Sequence, residues 1–447
     1  MAGGVANARG LGWLSIARIG LVQASIGAIV MLATSMLNRV MVVEYALVAA
    51  LPAGLVAWHY AVQLGRPIWG HGSDKGRKRT PWILGGMAVL AGGALLAVQA
   101  TVMMDEARGA AIALAILAFS LIGIGVGASG TSALALLASG VAPGRRAAAA
   151  ATTWIMMVAG IVLSAAIAGT LLKPAFPGEP FSPDRLVNVA SGVAIAAVLV
   201  TALAVFRLER GEHAFAETAK AGPAPDFGEA LREILREKEA RRFTIFIFVS
   251  MLAYSMQDLI LEPFAGLVFD MPLGESTQLA GLQHGGVLAG MIVAGIGGSA
   301  FAGRMPVDLK VWIVVGCLGS ALALVGLSTA AAYGPGWPLA ANVFALGFCN
   351  GLFAVAAIGA MMGLAGAGEK TREGVRMGVW GASQAIAFGL GGLLGALGVD
   401  FARRASQADG SAFQPIFAAE AALFIVAAGL AIRATRQEVQ TQKQVFA

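Results

Sequence analysis

A polytopic, all-α membrane bundle of twelve transmembrane helices in two six-helix halves is predicted by three observations. Twelve apolar stretches divide the 447 residues, and each can cross a bilayer, which takes about 20 residues of helix. The chain is 58% hydrophobic and only 13% charged, with a mean hydropathy of +0.77. Soluble domains run at about 25% charged residues. Finally, the basic residues gather on alternate connections. Of the 31 Lys and Arg, only Arg39, Arg108, Lys173, Arg185, Arg403 and Arg404 fall on the other side. Short loops rich in Lys and Arg stay in the cytoplasm, which predicts that both termini are inside.

The spans are read as 14–38, 45–64, 82–104, 109–139, 148–172, 187–206, 243–269, 278–301, 311–332, 337–366, 378–400 and 415–432. Arg9 and Arg18 open the first. Arg66, Lys75, Arg77, Lys78 and Arg79 separate spans two and three, and Arg145 and Arg146 separate four and five. Arg207–Arg242 is the longest polar stretch and splits the chain six plus six. This gives an N-terminal half at 1–206, a linker at 207–242, a C-terminal half at 243–432 and a tail at 433–447. Within the linker, Ala221–Pro225 reads as a turn, and Asp226 with Glu229 reads as a capping box. Phe227, Leu231, Ile234 and Leu235 then recur at helical spacing, opposite Arg232, Arg236 and Glu239. That pattern is either an amphipathic helix on the membrane face or a plain linker helix.

Composition excludes several classes. The net charge of +6 follows from the basic cytoplasmic loops and attraction to an anionic leaflet, and carries no nucleic-acid signal. No cleavable signal peptide is evident. Cys317 and Cys349 both lie within apolar spans, so neither a disulfide framework nor a zinc site is expected. The string Gly123-Ile-Gly-Val-Gly127 has no preceding strand and fails the context of a dinucleotide loop. No Ser/His/Asp set, metal-ligand cluster or nucleotide loop appears, so no enzymatic activity is expected.

Ionisable groups inside the bilayer cost about 2.5–3.5 kcal/mol or more, which makes them functional candidates. Span seven holds the densest set, Tyr254-Ser-Met-Gln257-Asp258-Leu-Ile-Leu-Glu262-Pro263. Asp258 and Glu262 share a helix face, and their repulsion favours one protonated carboxyl. Pro263 removes a backbone donor and frees a carbonyl near Leu259, so a broken helix lining a cavity between the halves is expected. The alternative is structural, with both carboxyls bonded to neighbouring helices. Span one is read as ending at Asn38-Arg39, with Glu44 opening span two and pairing with Arg39 at the periplasmic edge. His59 lies in Trp58-His59-Tyr60, and His284 is read at the start of span eight. A neutral imidazole can ligate the magnesium of a chlorophyll-type ring, although hydrogen bonding to a neighbouring helix is the more ordinary role. No other metal is expected to bind directly. The chain has sixty glycines, and Gly391 with Gly395 form a GxxxG pair in span eleven, suited to close helix packing or to a flat ligand.

The layout and the loop Gly70-His-Gly-Ser-Asp74-Lys-Gly76-Arg77-Lys78-Arg79 resemble the major facilitator superfamily and its signature loop, one residue short between Asp74 and Gly76. Gly70 and Gly76 permit a tight turn, and Asp74 can accept hydrogen bonds from a helix start or pair with an Arg, as a gate. The antiporter glycine-proline pattern in span five, the span-four arginine and the sugar-porter signature after span six are absent.

Several segments are more specific. Leu37-Asn38-Arg39-Val-Met-Val-Val-Glu44, Trp58-His59-Tyr60-Ala-Val-Gln63, Tyr254 to Phe264, His284-Gly-Gly-Val-Leu-Ala-Gly290-Met291 and Gly378-Val-Trp380-Gly-Ala-Ser-Gln384 are similar to the PucC/LhaA bacteriochlorophyll delivery family of that superfamily. The resemblance implies a membrane assembly factor for photosynthetic light-harvesting complexes. Its implied partners are bacteriochlorophyll, light-harvesting α and β polypeptides and bacteriochlorophyll synthesis enzymes, and its implied location is the intracytoplasmic photosynthetic membrane. His59, Gln257, Asp258, Glu262, His284 and Gln384 are then the candidate pigment or substrate residues. A proton-coupled secondary transporter of a pigment or another small amphipathic substrate is the competing reading.

Overall fold

The computed structural model describes residues 11–66, 69, 78–141, 146–176, 179–209, 232, 236, 238–300, 309–366, 373–405 and 409–434. Gly70, Asp74, Gly76 and Arg77, most of the 207–242 linker and the tail from 435 lie outside them. The described residues form twelve long helices and no strand. These are α1 (Trp13–Glu44), α2 (Ala50–Gln63), α3 (Thr80–Val102), α4 (Arg108–Gly140), α5 (Arg146–Leu171), α6 (Pro183–Val205), α7 (Lys238–Phe269), α8 (Leu273–Ala300), α9 (Leu309–Tyr333), α10 (Leu339–Gly366), α11 (Glu373–Ala405) and α12 (Asp409–Ala434). Ten are long and apolar enough to cross a membrane. The exceptions are α2, with 14 residues, and α8, which carries Glu275, Gln278, Gln283 and His284.

Three boundaries differ from the sequence reading. Glu44 closes α1 and does not open span two, because α1 continues through two π-helical segments past Arg39. His284 lies about three turns inside α8, since the polar run before it disguises the helix start. Pro263 does not break α7, which runs unbroken from Lys238 to Phe269.

The chain divides into two compact units. The first comprises Met1–Ala33, Val62–Ser164 and Ser182–Pro223. Here α3 and α4 approach through glycines: a Cβ on Gly86 would lie 2.5 Å from the Ser129 nitrogen, and one on Gly125 would lie 2.5 Å from that of Leu90. Glu209 accepts from the backbone of Arg79 and Thr80, each at 2.9 Å, and from the Thr80 hydroxyl at 2.6 Å. It satisfies donors that the start of α3 leaves open.

The second unit comprises Thr34–Ala61, Ala165–Phe181 and Ala224–Ala447. Its α8 and α10 mesh through Gly286, Gly290, Gly347 and Gly351, where added Cβ atoms would meet the opposite backbone at 2.0–2.4 Å. Such contact requires glycine at each position. Gly391 and Gly395 of α11 lie against the backbone of α7 at Leu252 and Met256, so the GxxxG pair serves helix packing. Phe264 of α7 packs on Phe413 and Phe417 of α12 at 5.3 and 5.0 Å between ring centroids.

Asp400 near the end of α11 accepts from the Ala49 and Ala50 nitrogens at 2.9 and 2.7 Å, which caps α2. Asp400→Ala should lower stability by about 1 kcal/mol, the usual cost of removing a cap. Thermal unfolding in detergent measures this, and an unchanged midpoint would show that the cap contributes nothing.

Candidate functional site

The second unit gathers most of the intramembrane polar residues. The end of α1 contains two π-helical segments, Leu32–Met36 and Val40–Glu44, flanking a short α-helical turn. Such turns shift the register of the residues that follow and recur at functional sites. Three buried side chains from this stretch reach α7 or the turn after it. Ser35 donates through its hydroxyl to Glu262 Oε1. Asn38 Nδ2 donates to the Leu259 carbonyl at 2.6 Å. Arg39 donates to Glu44 and, through Nη2, to the Met271 carbonyl at 2.7 Å.

The Leu259 carbonyl is the one that Pro263 deprives of its helical donor. Asn38 supplies the replacement, so α7 stays intact where a break was expected. Arg39 is 2% exposed while the Glu44 side chain is 24% exposed, so the pair is part-buried, with its cation enclosed and its carboxylate partly open.

The two span-seven carboxyls are split between environments. Glu262 is buried and turned to Ser35, with its Oε2 lacking a hydrogen-bond partner among the described residues. Asp258, one turn earlier, is half-buried, and its Oδ1 likewise has no partner. Gln257 is fully buried, with both amide atoms unpartnered among the described residues. Glu420 of α12 is fully buried, both of its oxygens are unpartnered among the described residues, and it lies within electrostatic reach of Asp258. Burying such groups without partners is costly, so their retention calls for a ligand, a cation or a proton.

Glu420 escapes the sequence reading, although the rule that singles out Asp258 applies equally to a lone carboxylate in the apolar run Ala418-Ala419-Glu420-Ala421-Ala422. Asp400 escapes it too, at the C-terminal end of span eleven.

Aromatic residues stand beside this cluster. The Tyr254 ring lies 5.7 Å from Phe388, which lies 5.8 Å from Tyr60. Tyr60, Tyr254, Asp258 and Phe388 are all half-buried. Gln384 is one turn before Phe388 on α11 and so shares its face. Because α7 and α11 run parallel, Asp258 lies one turn to one side of the Tyr254–Phe388 contact and Gln384 one turn to the other, and His59 is next to Tyr60.

The two histidines differ. His59 is 1% exposed, with Nδ1 bonded to the Val56 carbonyl at 2.6 Å. His284 is half-buried, with Nδ1 2.9 Å from the Ala280 carbonyl. A carbonyl only accepts, so Nδ1 carries the proton and Nε2 of His284 presents its lone pair. A Cβ added at the adjacent Gly285 would meet nothing within 4 Å. Among the described residues, no three His, Cys, Asp or Glu side chains are grouped to hold a metal ion.

The family model described as PUCC protein matches residues 36–439. The chain belongs to the PUCC protein family. A relative in Rhodobacter capsulatus, "Bacteriochlorophyll synthase 44.5 kDa chain", is 52% identical over 422 residues, covering 94% of this chain and 95% of that one. "Protein PucC" of Rhodobacter capsulatus is 30% identical over 433 residues, covering 93% and 91%. Among solved structures, a bacterial homologue of the human lysosomal transporter Spinster superposes with a TM-score of 0.69 at 16% identity, covering 98% of this chain and 99% of that one. The nucleoside transporter NupG gives 0.67 at 13% identity, covering 94% and 100%. These likenesses establish the major facilitator fold, and the chain is a multi-pass membrane protein.

Proposed function

We propose that this protein is a membrane assembly factor for light-harvesting complexes, binding bacteriochlorophyll and presenting it to antenna α and β polypeptides. The observation that carries the reading is the 52% identity, over nearly the full length of both chains, to a relative whose name ties it to bacteriochlorophyll. The role is binding and delivery, not catalysis of pigment synthesis. The intracytoplasmic photosynthetic membrane, with both termini in the cytoplasm, is the corresponding location.

His284 fits a tetrapyrrole ligand. The hydrogen bond to Ala280 fixes its tautomer and orients the ring, as outer-shell partners do for ligating histidines generally. Nε2 would hold the central magnesium, and the open space at Gly285 leaves room for a flat ring edge. Bound there, the pigment would be the cargo and His284 the residue that holds it.

Deleting the gene should lower antenna absorbance while the capacity to make bacteriochlorophyll persists. Antenna polypeptides should co-isolate with the tagged protein from native membranes. Normal antenna assembly in the deletion strain, together with no co-isolated polypeptides, would overturn the reading. The competing transporter reading requires substrate uptake that an uncoupler abolishes.

A further inference from the structure

We infer that Gln257, Asp258 and Glu420 form a binding site for a small monovalent cation, with sodium as the fitting ion. The site is independent of the proposed pigment ligand on α8.

The helix register brings the three residues together. A Cβ on Gly410, at the start of α12, would come to 4.0 Å from Val268 near the end of α7, and Phe413 and Phe417 further along α12 meet Phe264 earlier on α7, so the two helices run antiparallel. Phe264 packs on Phe413. Seven residues make about two helical turns, which returns to the same face. Seven before Phe264 is Gln257, and seven after Phe413 is Glu420. Phe264 also packs on Phe417, so Gln257 is brought to within about one turn of Glu420, and Asp258 lies within electrostatic reach of that carboxyl.

Four of the five side-chain oxygens this site offers are without a hydrogen-bond donor among the described residues: Asp258 Oδ1, both Glu420 oxygens and Gln257 Oε1. An all-oxygen donor set selects hard cations over transition metals. The five oxygens of two carboxyls and one amide fall short of the about 6–8 that calcium takes. Two carboxyls that share one proton and hold one sodium ion carry no net charge, which suits a dry site. Asp258, the half-buried member, provides the entrance, while Gln257 and Glu420 are fully enclosed.

The test uses the full-length protein in detergent, with sodium chloride compared against choline chloride at equal ionic strength. Radioactive sodium retained in equilibrium dialysis and the thermal midpoint are both read. The expected result is saturable retention and a midpoint that rises with sodium but not with choline. Glu420→Gln and Gln257→Leu should each weaken sodium binding about tenfold or more, the effect of losing one strong contact. Should Glu420→Gln fail to fold, Asp258→Asn, at the half-buried entrance, carries the test with the same expected loss. Equal midpoints and no sodium retention in the wild-type protein would overturn the proposal. So would undiminished sodium binding in folded Asp258→Asn, or stabilisation that follows pH alone.

Discussion

Gly351→Val should prevent the protein from accumulating in folded form. A Cβ at Gly351 would lie 2.1 Å from the Val287 carbonyl oxygen and 3.0 Å from the Met291 nitrogen. Both are backbone atoms of α8, and no side-chain rotamer relieves the clash. The helices would have to separate by about 1 Å, and the neighbouring contacts at Gly286, Gly290 and Gly347 would loosen with them. Overpacking of this kind costs about 1–3 kcal/mol and sometimes more. Close packing is the main force between helices in lipid, so the upper end applies. The monodisperse fraction after detergent extraction measures the effect. Gly92→Ala is the control: its added Cβ meets nothing within 4 Å, and it should be neutral or slightly stabilising. Similar behaviour of the two variants would refute the glycine contact as the basis of the α8–α10 interface.

Arg39→Met should be the most damaging of the polar substitutions. It removes the cation from Glu44 and the donor from the Met271 carbonyl, at a residue 2% exposed. Breaking a buried pair by taking away one partner costs about 3–5 kcal/mol, mostly because the other charge is left uncompensated. The Glu44 side chain is 24% exposed, so water screens part of the loss and about 3 kcal/mol is expected. The double variant Arg39→Met with Glu44→Gln should recover part of the thermal midpoint. No recovery would mean that Arg39 acts through the Met271 carbonyl and not through the ion pair.

The helices were legible because a bilayer imposes a long apolar run on each, and the alternating basic loops check the count. What lies between the helices was less so. Pro263 announces an orphan carbonyl near Leu259, but that Asn38 answers it depends on tertiary contact 221 residues away in sequence. The spacing of Arg39 and Glu44 suggests a pair, yet the π-helical continuation of α1 that buries Arg39 has no signature in the sequence. Asp258 and Glu262 share a face in the sequence, while in the structure α1 binds one and leaves the other within electrostatic reach of Glu420. Glu420 was readable in principle, as a lone carboxyl among alanines. His284 was visible as a residue but not in its depth, because Gln283 and Gln278 make the start of α8 look like a loop.

The proposed function requires that this chain bind bacteriochlorophyll through its own side chains. The most direct measurement is the near-infrared absorption spectrum of the protein purified from photosynthetic membranes in mild detergent, for wild type and His284→Leu at matched folded yield. The account predicts bound bacteriochlorophyll in the wild type and its loss from His284→Leu. A wild-type protein without pigment, or a variant that retains it in full, would contradict it.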